Sequence, residues 1–248
     1  AAYTLQRYFT AITVATAFAL TTVYRINIML DIQKKHVVEM ARTAQQWGLC
    51  KHKAGNSSVR DKETGLILVT LTTIDKMHLT PRDIVVMDVE ANVIESEAGL
   101  RPTSECLMHI EIYKARPDVF AISHTHSLYA TSFAVLNKPI PAVVYECAIL
   151  NLKDGVIPVA PYGRPGTPAL SESVIEPIKR ADAILMEKHG AIGVDKDPYE
   201  AVLKSAYLEE MAQIYYHALV INGGKEPESF SPEELQRWAY PSQIKFAR

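Results

Sequence analysis

The stretch AISHTHSLYA, residues 121–130, sets two histidines two apart directly after the apolar run DVFAI, and no other feature limits so tightly what this chain can build. The run is read as a β-strand. Residues i and i+2 of a strand project from one face, so His124 and His126 present two imidazoles side by side, about 7 Å apart at the backbone. That spacing suits a single metal ion. It equally suits two packed or hydrogen-bonded histidines, and an isolated H-x-H is more often the latter.

A third ligand candidate is His189 in MEKHGAIG, placed at the end of the apolar strand ADAILMEKHGAIGV and followed by Gly190, which permits a tight turn. Three neutral imidazoles with an open fourth position are the arrangement of catalytic zinc. The remaining histidines, His36, His52, His78 and His217, have no partner at ligand spacing. His109, four residues after Glu105 on one helix face, is assigned a hydrogen-bonding role.

Composition narrows the function classes. Twenty-six Lys and Arg against 28 Asp and Glu give a net charge of -2, which supplies neither the basic footprint of a nucleic-acid binder nor a polybasic membrane contact. A small-molecule partner is expected. Cys50, Cys106 and Cys147 are odd in number and widely spaced, which fits a reducing cytoplasm and no disulfide framework.

In chain order, residues 1–28 contain the uncharged stretch AITVATAFALTTV, too short and too rich in threonine to span a bilayer. They are read as a non-native extension ahead of a start at Met29, with an export signal as the rival, and residues 29–248 as one domain. Asp31 opens an amphipathic helix that Gly48 caps. Two strand-like segments follow around a turn at Glu90 to Asn92. Ser104 precedes a helix with Glu105 in its first turn and Pro117 at its end. The chain finishes with a long helix from Pro198, capped by Asp197, with a packed stripe of Ala201, Ser205, Leu208, Ala212, Tyr215 and Leu219.

A proton-transfer carboxylate is sought beside the histidines, and Glu105 in PTSE is the candidate, since a helix start favours an anion. The plain alternative is a glutamate that only complements the helix dipole.

Taken together, AGNSSVR, RPTSE, HIEIYKARPD, HTHS, NKPIPAVVY, VAPYGRPGT and KHGAIG, in this order and spacing, resemble the class II aldolase/adducin family over nearly everything after Met29. The resemblance implies an α/β fold with a mainly antiparallel central sheet flanked by helices, assembled as a homotetramer with sites at subunit interfaces. It implies Zn2+ held by His124, His126 and His189, with Glu105 binding the metal at rest and acting as the proton-transfer base. Tyr145 is implied as a proton donor to a neighbouring subunit's site. Gly55, Asn56, Thr72, Thr73, Thr103 and Ser104 match the phosphate cradle, although turn and cap chemistry would account for the same residue types.

The activity so implied is zinc-dependent cleavage of a ketose 1-phosphate, L-fuculose 1-phosphate in the nearest pattern, to dihydroxyacetone phosphate and a short aldehyde. Other family lyases (a dehydratase or decarboxylase), a 4-epimerase, and a non-catalytic adducin-like module are the alternatives. The chain departs from the family pattern at Leu71 and Thr73, where Pro and Gly are usual, and at Lys53, which offers a positive charge near the cradle.

Overall fold

The computed structural model describes residues 2–72, 74–97 and 99–237, with side chains from Tyr24 onward. Helix α1 spans Ala2–Gln46. It therefore runs through Asp31 instead of starting there, because residues 24–30 contain no proline or glycine to interrupt it. Its buried stripe, Leu30, Val37, Met40, Ala41 and Ala44, recurs every three or four residues. The helix ends as expected near Gly48, whose φ of 76° is the left-handed cap conformation.

The strands that follow are β1 (Asn56–Arg60), β2 (Ile67–Thr70), β3 (Ile84–Met87) and β4 (Val93–Glu95). Between the last two, Asp88 Oδ1 accepts from the backbone N–H of Glu90 and Asn92, which forms the turn expected there. Then come α2 (Cys106–Ala115), β5 (Ala121–Thr125), α3 (Leu128–Val135), and the short strands β6 (Ile140–Pro141), β7 (Val156–Ile157) and β8 (Val159–Ala160). The chain continues through α4 (Pro168–Ser173), α5 (Ile175–Ile178), β9 (Ala183–Met186), β10 (Gly190–Asp195), α6 (Pro198–Ile221) and α7 (Pro232–Gln236).

Eight strands form one sheet in the order β4-β3-β2-β1-β5-β10-β9-β8, and every pairing is antiparallel except β8 with β9. The mainly antiparallel sheet between helices is thus present. The stretch ADAILMEKHGAIGV is two strands, not one: Lys188, at φ 56°, turns the chain, and β9 and β10 pair as a hairpin with His189 in the bend.

Alternate residues of the central strands feed two cores. Val59, Leu68, Ile84, Val86 and Ala121 pack with α1; Ile67, Val69, Val85, Met87 and Ile122 pack with α2 and the helices behind it. Period-two alternation with both faces apolar is what a sheet covered on both sides requires. Asp197 caps α6, accepting from Tyr199 N–H and Glu200 N–H, and Ala201, Ser205, Leu208, Ala212 and Tyr215 are buried as expected, with Leu219 half-buried. Among the described residues no helix is long and apolar enough to cross a membrane. The three cysteines are unbonded.

Candidate metal centre

Strand β5 lies mid-sheet, with β1 on one side and β10 on the other. His124 is directly opposite Asn56 of β1 and Ile192 of β10, so Asn56 and His124 share a face. His126 follows just past the strand end, and the β9–β10 bend carries His189 back to the same place. The three ring centroids lie 4.8–5.1 Å apart.

Gly190 makes this approach possible. A Cβ there would lie 2.3 Å from the Thr125 carbonyl oxygen and 3.2 Å from both His124 Cε1 and His126 Cδ2. Gly55 does the same from the other side: its φ is 74°, and a Cβ would meet Cys50 Sγ at 2.3 Å and the His124 carbonyl at 2.7 Å.

Glu105 occupies the cap position of α2, one residue before the first turn, and its side chain makes no cap hydrogen bond. The carboxylate is turned instead to the histidines, with Oε2 3.1 Å from His124 Nε2 and Oε1 2.9 Å from His189 Nε2. Burial pushes its pKa up, but His124 and His189 outweigh that and hold it well below the usual carboxylate range. Burial, reinforced by His124 and His189, pushes His126 down to about 3, which leaves it neutral and able to ligate.

Whether this group suits a metal is decided by its lone pairs. His124 Nδ1 donates to the Ala191 carbonyl at 3.0 Å, so it is Nε2 that a neutral ring presents as a lone pair. That nitrogen lies 3.0 Å from His126 Nε2 as well as beside the Glu105 carboxylate. Fully neutral rings would set lone pairs against an anion at these distances, so the cluster needs shared positive charge, which ring protons or a metal ion can supply. The ligand atoms of His124, His126 and His189 all lie within 4.8 Å of one another, and three imidazoles with a carboxylate are a donor set that fits a divalent transition metal.

Residues 35–216 match the family model described as Class II Aldolase and Adducin N-terminal domain. The chain belongs to that family. It is 30% identical over 212 residues to 5-deoxy-D-ribulose 1-phosphate aldolase of Bacillus thuringiensis, covering 86% of this chain and 96% of the relative. It is 33% identical over 187 residues to L-fuculose phosphate aldolase of Escherichia coli, covering 75% and 84%. A solved L-fuculose 1-phosphate aldolase superposes with a TM-score of 0.76 at 32% identity, covering 82% of this chain and 92% of the other. The protein is accordingly a lyase of the class II aldolase type.

In this class II aldolase the remaining expected site residues fall into four groups. Gly55, Asn56 and Thr103 adjoin the centre. Thr103 N–H donates to the Thr70 carbonyl, and Glu105 N–H donates to Thr103 Oγ1 at 3.4 Å. Thr72 and Ser104 belong to the same two loops, which are tied by the Leu71–Pro102 bridge and by Thr72 N–H to the Arg101 carbonyl at 3.3 Å; Thr72 is half-buried and Ser104 exposed. Thr73 lies outside the described residues. Tyr145 is not brought to the histidines of its own chain. It is exposed at the head of the turn Tyr145–Leu150, with its ring edge-on to Phe230 and beside Tyr207.

Two features escaped the sequence reading. Lys53 is exposed, and the buried cation at this loop is Lys76, 2% exposed, whose Nζ donates to the carbonyls of Lys53 and Ile74 at 3.4 and 3.3 Å. Lys34 and Lys204, also buried, each face carboxylates. Asn56 is the second: its Nδ2 donates to Glu105 Oε2 at 2.8 Å, a role visible only once β1 is set beside α2.

Proposed function

We propose that this protein is a zinc-dependent aldolase that reversibly cleaves a deoxyketose 1-phosphate to dihydroxyacetone phosphate and a short aldehyde, in a reducing cytoplasm. L-fuculose 1-phosphate, giving L-lactaldehyde, is the favoured substrate. The relative of Bacillus thuringiensis named above makes 5-deoxy-D-ribulose 1-phosphate, giving acetaldehyde, the second reading. The carrying observation is the convergence of Glu105 with His124 and His189 while Asn56 holds the same carboxylate.

His124, His126 and His189, with Glu105 at rest, would hold the metal. When bound, zinc supplies Lewis acidity toward the carbonyl and adjacent hydroxyl oxygens of the sugar phosphate. In the condensation direction Glu105 removes a proton from the carbon of dihydroxyacetone phosphate that bonds to the aldehyde. It is anionic at neutral pH, as a proton acceptor must be. Tyr145, reaching in from a neighbouring subunit of a homotetramer, gives its proton to the alkoxide formed as the C–C bond closes.

Lys76 supports an anionic substrate. Among the described residues this buried ammonium is held by two long carbonyl contacts, and a phosphate at the adjoining loops would add a charged partner.

The test is metal removal and return with aldehyde detection across ketose 1-phosphates. Chelation should abolish cleavage and zinc restore it. Glu105→Gln should retain most of the metal and lose roughly 10²–10⁴-fold in kcat. Cleavage by the metal-free protein would overturn the assignment.

A further inference from the structure

Behind Glu105, away from the histidines, runs a line of buried polar groups that the proposed chemistry does not use. Glu105, His109 and Tyr113 recur every four residues on α2, and Asn56 and Ser58 every second residue on β1. Four residues of helix rise about 6 Å, and two residues of strand advance about 6.6 Å. The two stripes therefore stay in step, and their polar atoms interleave.

Tyr113 Oη lies 2.8 Å from Ser58 Oγ, Ser58 Oγ 2.7 Å from His109 Nδ1, His109 Nε2 2.5 Å from Asn56 Oδ1, and Asn56 Nδ2 2.8 Å from Glu105 Oε2. Tyr113, Ser58 and His109 are all fully buried.

The proton positions along this line follow from the carboxylate. Glu105 as an anion accepts, so Asn56 turns its amide N–H toward it. Asn56 Oδ1 then has to accept from His109 Nε2–H, and His109 Nδ1, left with a lone pair, accepts from the Ser58 hydroxyl. Ser58 Oγ in turn accepts from the Tyr113 hydroxyl. Run the other way, the line would leave the Tyr113 hydroxyl proton buried with no acceptor among these groups. Every donor points one way, toward Glu105.

We infer that this Tyr113–Ser58–His109–Asn56 line is a positioning device for Glu105, with His109 as its central positioning residue acting through Asn56. It fixes the carboxylate so that Oε2 is shared between Asn56 and His124 while Oε1 faces His189. Asn56 is thereby committed to the base and not to the phosphate alone, which deepens the proposed function and relies on it for the kinetic readout. A base held to about half an ångström takes up the substrate's proton far more often than one free to rotate, so the loss falls on turnover and not on substrate binding.

The experiment compares His109→Phe, which neither donates nor accepts, with His109→Gln, which can donate to Asn56 and accept from Ser58. His109→Phe should lower kcat roughly 10–100-fold with KM within about twofold, and weaken zinc binding by about tenfold. His109→Gln should recover most of each. Solid-state ¹⁵N spectra of the histidine-labelled, zinc-loaded full chain should show His109 with its proton on Nε2.

Wild-type kcat in His109→Phe, a change confined to KM, an equal defect in His109→Gln, or an Nδ1–H tautomer would each overturn the inference. Should His109→Phe fail to fold by thermal melting, the Gln variant and the tautomer decide. Should the wild type show no aldolase activity, the proposed function falls, and zinc affinity and the tautomer still judge the positioning line.

Discussion

At Gly190 the absence of a side chain does more for the site than most side chains do. The glycine sits opposite the Thr125 carbonyl and against both strand-end imidazoles. A methyl group added there must displace backbone or rotate the ligands, so Gly190→Ala should lower zinc affinity by about 10–100-fold, comparable to losing an orienting partner. Equilibrium dialysis against zinc would measure it, and unchanged affinity would show that the hairpin has room to give. The histidines and Glu105 were legible as residues because their types and spacings carry chemical meaning on their own. Ser58 and Tyr113 were not, and Asn56 was legible only as a cradle residue, since each acquires its contact with the Glu105 line only from the element opposite.

At the scale of elements, the site depends on how the β9–β10 hairpin is anchored to α6. Lys204 of α6 is buried and reaches Asp182 at 2.8 Å and Asp195 at 2.6 Å, at the two ends of that hairpin. Burial works against its charge, but the two carboxylates outweigh that and raise its pKa. Lys204→Met would leave both carboxylates half-compensated in a low-dielectric setting, with Arg116 as the remaining partner of Asp182. A destabilisation on the order of 3 kcal/mol is expected, read as a shifted urea midpoint with unchanged m-value. Helix α6 was readable from its cap, proline and periodicity, and α2 from its helical pattern and the proline after it, although Glu105 proved to be its cap residue and not part of its first turn. The hairpin was read as a single strand because a continuous apolar run shows no period, and its bend rests on Lys188 adopting a positive φ that no side chain advertises.

At the scale of the whole molecule, Tyr145 poses the main question, because within one chain it is exposed and stands apart from the histidines. If neighbouring subunits share sites, Glu105→Gln and Tyr145→Phe proteins, each nearly inactive, should regain activity when unfolded and reassembled together. For four sites formed at random, about a quarter would pair an intact base with an intact donor, and activity no greater than the sum of the parents would remove Tyr145 from the mechanism. What the sequence by itself determined was the chemistry on offer: three histidines and a glutamate in family order, strands that bury both faces, and a charge balance that gives no footprint for nucleic acid. Tertiary structure decided which atoms face which. The bend that returns His189 to β5, the turning of Glu105 from helix cap toward the histidines, and the step-matched stripes of α2 and β1 depend on contacts between residues 19 to 84 apart in the chain. Periodicity and spacing describe one element at a time, whereas those contacts depend on how two elements are set against each other.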